Sequence, residues 1–173
     1  LQMWLPDSHI LEEDIILALM AHELGHLKYT DFSVTKTIHE LPNLPEENYA
    51  IFHITNVLED LRVEKNISES YPGFGDLFLL ENRRVRHELA KHWPRLPAIN
   101  RVLIALYFLL NSKECDFIES SYFLAAAYLI HGYENFLDTC TCTRDVMDIA
   151  LKVFDRLRQG FPNDINDFLN DLK

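Results

Sequence analysis

Glycine is scarce, five in 173 residues, and none of it forms a phosphate-cradling loop or brackets a serine in a G-x-S-x-G elbow. Phosphate-loop nucleotide chemistry and a serine-hydrolase elbow are thereby excluded. Cysteine is scarcer still. Cys115, Cys140 and Cys142 make an odd count with no disulfide-framework spacing, which points to a reducing, cytoplasmic setting. Cys140-Thr-Cys142 has no second pair to complete a metal knuckle and reads as an exposed turn. Basic charge is short as well: 16 Lys and Arg stand against 27 Asp and Glu, a net charge of −11. Phosphate attraction needs the opposite balance, so a general nucleic-acid binder is excluded. No apolar run approaches the ~20 residues of a membrane span. The longest, 102–110 and 122–130, read as buried core helices. There is no internal repeat, low-complexity segment or visible signal peptide. The chain starts at Leu1 rather than methionine and reads as a piece of something longer.

What is present suits one soluble domain: 48% apolar and 25% charged residues, over a length able to bury a substantial core. The spacing predicts a short strand over 1–5, closed by Pro6, and a helix over 10–29 capped by Asp7 or Ser8. The two prolines of "ELPNLPEEN" predict a loop, and helical spacing returns over 49–67. "YPGFGD" predicts a turn at 71–76. Helices are expected near 77–92, 98–110, 116–131 and 143–159, with a short piece ending at Lys173. The fold class is mainly α, with an edge strand or small hairpin as its only sheet. Residues 1–70 form a metal-binding half and 71–173 a helical half.

The chemistry concentrates in "AHELGHLKYTD", 21–31. Residues i and i+4 share a helix face, so His22 and His26 can offer two imidazole nitrogens to one ion at ~2.0–2.1 Å. Glu23, one residue round, is placed to act as general base on a water that zinc would acidify from ~15.7 toward ~7. Gly25 costs a helix interior about 1 kcal/mol relative to alanine, and a missing side chain beside a metal or substrate backbone would offset that. The other His-Glu pairs serve as internal controls. His39-Glu40 runs into a proline loop. His87 and His92, five apart, point about 140° from one another. Both read as surface.

Catalytic zinc sites take three protein ligands and leave a position open. "NVLEDLRVEK", 56–65, is the source of the third. Glu59 is preferred, with Asp60 the alternative; helical phase does not decide, since Asp60 lies nearer the apolar stripe and stacks with Asn56 and Glu64. The acid that misses the metal is expected to steady a ligand histidine through its free N–H, a role open also to Asp31 or Glu64. Arg62 is expected to pair with these carboxylates rather than with substrate.

These two segments resemble the metallopeptidase region of CobT-like proteins, often joined to a von Willebrand factor A domain. The pattern there is an HExxH helix ending near Thr-Asp, then Asn-x-Leu-Glu-Asp-x-Arg-x-Glu. His22, Glu23, His26, Thr30, Asp31, Asn56, Glu59, Asp60, Arg62 and Glu64 match it, and the likeness covers about 4–67. It implies a zincin-like core, zinc, a protein or peptide substrate, and a MoxR/CobS-type AAA+ ATPase as companion. The Asp-x-Ser-x-Ser motif of the A domain is absent from this sequence. The resulting expectation is a gluzincin-like zinc metallopeptidase. The alternatives are a non-catalytic metal-containing interaction module and a cobaltochelatase-type subunit, although nothing in the sequence indicates a tetrapyrrole.

Other features carry plainer readings. Arg83, Arg84, Arg86, His87, Lys91 and His92 make the one basic stretch, a solvated helix face paired with Glu81 or Glu88. Trp93 reads as a packing anchor, and Tyr107, Phe108, Phe117, Tyr122, Phe123 and Tyr128 as core. His53 faces the side of Asp60 and is placed to approach the site. Lys28 and Tyr29, a turn past His26, are candidates for oxyanion stabilisation. The strand at 1–5 would receive an extended peptide by strand addition.

Overall fold

Pro45 does not end a helix here; it begins one. Its missing N–H falls on the first helical turn, where no intrahelical partner exists, and Glu47 accepts the Leu44 N–H at 3.1 Å. The central helix therefore runs Pro45–Ser70, four residues earlier than periodicity alone predicts. The computed structural model describes residues 13–111 and 115–162. Helices α1 (Glu13–Tyr29), α2 (Phe32–Ile38), α3 (Pro45–Ser70), α4 (Gly73–His92), α5 (Ala98–Leu110), α6 (Ser120–Ile130), α7 (Phe136–Thr139) and α8 (Thr143–Gly160) follow in order, with one 3₁₀ turn at Trp93–Arg95. No strand occurs among the described residues, so the chain is mainly α. The strand expected at 1–5, the cap at Asp7 or Ser8 and the piece ending at Lys173 lie outside the described residues.

Several boundaries move for local reasons. Asp31 accepts from the Ser33 N–H at 2.9 Å and from its hydroxyl at 2.6 Å, capping α2, which periodicity did not show. The turn expected at 71–76 is confined to Tyr71 and Pro72, because Gly73 and Gly75 enter α4. α6 starts at Ser120, since 116–119 form a turn closed by the Ile118 N–H on the Cys115 carbonyl.

α3 is the axis. Ala50, Ile51, Ile54, Leu58 and Leu61 recur at helical spacing and bury in the main core with α5, α6 and α8. Trp93 anchors one end: its indole N–H donates to Glu119, and its ring meets Phe117 and Tyr122 edge-on. α6 is less buried than its apolar text implies, for Leu124 and Tyr128 face outward and Tyr128 is 49% exposed. A smaller cluster (Ala18, Ala21, Val63, Ile67 and Phe78) joins α1 to α3 and α4. Gly25 belongs to this seam. A Cβ there would strike Ile67 and stand 2.6 Å from Val63 Cγ1. The glycine therefore serves helix–helix approach, not the metal or substrate space expected of it.

Candidate metal centre

The close α1–α3 seam sets which side chains meet. His22 and His26, one turn apart on α1, bring their Nε2 atoms within 3.1 Å of each other. Asp60 on α3 places Oδ1 3.1 Å from His26 Nε2 and 3.7 Å from His22 Nε2. Among the described residues these three are the group able to hold a metal ion. Ligands held ~2.0–2.1 Å from a tetrahedral ion stand about 3.3–3.4 Å apart, and the three observed separations bracket that value.

The remaining imidazole nitrogens are also engaged. His22 Nδ1 faces Glu64 Oε1 at 3.5 Å, and His26 Nδ1 lies 2.9 Å from the Thr30 hydroxyl. With both Nδ1 atoms facing oxygens, the two Nε2 atoms face one another and Asp60. They lie within hydrogen-bond distance of each other, and an ion would take the place of the shared proton. Burial disfavours a charged His22, but the hydrogen bond to Glu64 and the charges of Asp60, Glu64 and Glu81 outweigh it and raise its pKa to about 9. The pocket is thus built for positive charge.

Glu59, the preferred third ligand, is elsewhere. It is 2% exposed and grips Arg62 with both oxygens, Nε to Oε2 at 2.9 Å and Nη2 to Oε1 at 2.7 Å. The Thr143 hydroxyl donates to the same Oε1 at 2.9 Å. Asp60, the alternative, is the acid that meets the imidazoles. Asp31 does not steady a histidine either, since its carboxylate caps α2. The Asn56 side chain makes no hydrogen bond to a described residue, while Glu64 faces His22 Nδ1 and Arg62 pairs with Glu59.

Glu23 is exposed and makes no ion pair among the described residues. Helical phase sets it about 60° from His26 and about 100° from His22, beside the cluster and on its solvent side. Lys28 lies over the rings of Tyr29 and Tyr71, and the Tyr29 hydroxyl meets Ser70, so neither candidate oxyanion group points at the cluster. His53 stands edge-on to Tyr49, and burial lowers its pKa; it is not part of the metal-competent group. His39, His87 and His92 are exposed, as their spacing implies. Of the C-x-C pair only Cys142 is exposed; Cys140 is buried. In the basic stretch Arg86 pairs with Asp116 and Lys91 with Glu88.

Two participants had no visible role in the sequence. Thr30 sits in the motif but carries no chemistry until His26 is seen to turn toward it. Thr143 contacts Glu59 across 84 residues, and a lone Thr leaves no periodic trace. A cleft of about 400 Å³ lined by Ala127, Tyr128, His131 and Arg156 shares no residue with the cluster. No helix among the described residues is long and apolar enough to cross a membrane. No protein-family model, curated protein or solved structure matches this chain.

Proposed function

We propose that this chain is a zinc-dependent metallopeptidase in which His22, His26 and Asp60 hold the ion and Glu23 is the general base. The observation that carries the reading is the convergence of three ligand atoms at 3.1, 3.1 and 3.7 Å, with both outer imidazole nitrogens engaged. Two nitrogens and one carboxylate oxygen suit zinc, and a set of three protein ligands would leave room for the water that hydrolysis requires. A zinc ion supplies Lewis acidity, acidifying water and polarising a peptide carbonyl. Glu23, free and solvent-facing, takes the water's proton and passes it to the leaving amine. Glu64 and Thr30 fix the ring orientations of His22 and His26. The zincin-like core belongs to the same proposal, as does kinship with CobT-like proteins, their A domain and their AAA+ ATPase.

A second reading, a non-catalytic interaction module around a structural metal, draws on one observation. Ile16, Leu17, Met20, Leu24 and Leu27 leave an apolar stripe exposed along α1, with Leu27 74% exposed. The two readings separate on Glu23→Gln. Purified protein should carry about one zinc per chain, and the variant should keep it while peptide cleavage falls about 10²–10⁴-fold. Wild-type protein that binds zinc yet cleaves no peptide library would leave the module as the better description.

A further inference from the structure

We infer that Glu59, Arg62 and Thr143 form a buried clamp that positions His26 for the cation by pinning the backbone on both sides of Thr30. The inference rests on the metal-centre reading for its purpose, though not for its geometry. Arg62 Nη2 donates to the Tyr29 carbonyl at 2.7 Å and to Glu59 Oε1 at 2.7 Å. Glu59 Oε1 accepts the Thr143 hydroxyl at 2.9 Å, and that hydroxyl accepts the Asp31 N–H at 2.8 Å. The chain of bonds starts at the peptide before Thr30 and returns to the peptide after it.

Between those two held peptides, the Thr30 side chain has little freedom, and its hydroxyl lies 2.9 Å from His26 Nδ1. Glu59, Arg62 and Thr143 are 2%, 3% and 1% exposed, so water does not compete for these bonds. The arrangement also explains why a Glu-Asp pair stands in α3. Asp60 faces the imidazoles, while its neighbour, about 100° round the helix, reaches back to hold the end of the helix that carries them. The N-terminus of α8 is thereby tied to the metal centre from the far end of the sequence. These are positioning residues, and none of them touches the proposed ion.

Thr143 is the residue to test, because Thr143→Val keeps the shape and leaves the Glu59–Arg62 pair intact. Hydrogen–deuterium exchange on metal-free protein should show faster exchange confined to 26–31 in Thr143→Val, with α5 and α6 unchanged. Zinc titration should show about 10–100-fold weaker binding, the range found when an outer partner of a ligand histidine is lost. Thr143→Ser, which retains the hydroxyl, should restore both. Unchanged exchange at 26–31, or loosening spread evenly over the molecule, would overturn the clamp. If wild-type protein bound no zinc, the metal centre would fail while the exchange data still judged the clamp.

Discussion

Asp60 and His26 meet at 3.1 Å across the α1–α3 seam, whereas Glu59, one residue away, is turned into the interior against Arg62. Removing each acid should therefore fail in a different way. Asp60→Ala should keep its fold and lose zinc affinity by more than the ~100-fold typical of an outer partner. Glu59→Ala leaves the Arg62 guanidinium buried without its counter-charge, which costs about 3–5 kcal/mol. Its urea midpoint should fall sharply. Calorimetric zinc titration and denaturant curves on both variants check the assignment; a Glu59 variant that unfolds normally but cannot bind zinc would reverse it.

How far the sequence could be read follows from the same pair. The helices α1 and α3 and the facing histidines are legible, because a 3.6-residue period and an i,i+4 spacing are local facts. The third acid is not. Leu58, Glu59, Leu61, Arg62 and Val63 are all buried, so α3 has no single wet face against which to phase two adjacent acids. A bidentate ion pair hides charge inside the core, and Thr143, which completes it, lies 84 positions away. The purpose of Gly25 is hidden for a related reason: helix propensity signals that something needs the space, but only packing shows that Ile67 fills it.

Gly25→Ala sets two effects against each other. Helix propensity favours alanine by about 1 kcal/mol. Against it, the new methyl would collide with Ile67 and Val63, and overpacking of this kind costs about 1–3 kcal/mol. Ile67 and Val63 are both buried, which limits their escape. Net destabilisation is expected, measured as a lower urea midpoint, with weaker zinc binding as the helices part. Gly25→Ala combined with Ile67→Val should regain part of the loss. A single variant more stable than wild type would show that Ile67 and Val63 give way to the methyl without cost.

The apolar stripe of α1 yields a cleaner contrast, because its residues support little of the core. Replacing exposed Leu24 and Leu27 by glutamine should change unfolding free energy by no more than about 0.5 kcal/mol each. Zinc binding should be unaltered. If the stripe guides an extended apolar substrate past Glu23, KM for such peptides should rise with kcat nearly constant. Unchanged peptide kinetics with loss of binding to a protein partner would favour the interaction module.

The acid-rich pocket predicts a proton-coupled metal site. In the metal-free protein the His22 pKa is raised from 6.5 to about 9, against the pull of burial, by the bond to Glu64 and the charges of Asp60, Glu64 and Glu81. A group raised on folding stabilises the native state when protonated. Its contribution is complete below about pH 6.5 and is lost as pH climbs through about 9. The gap is worth about 3 kcal/mol at 1.36 kcal/mol per pH unit, so metal-free protein should soften over that window. Zinc binding has the opposite slope, because the ion must displace the proton from His22. Its affinity should rise about tenfold per pH unit up to about 9, with close to one proton released per zinc in calorimetry across buffers of different ionisation enthalpy. Glu64→Gln removes the negative charge and leaves only a neutral amide oxygen to face His22 Nδ1, so the break in that slope should move back toward 6.5. A pH-independent affinity in the wild type would mean that no proton occupies the place assigned to the cation.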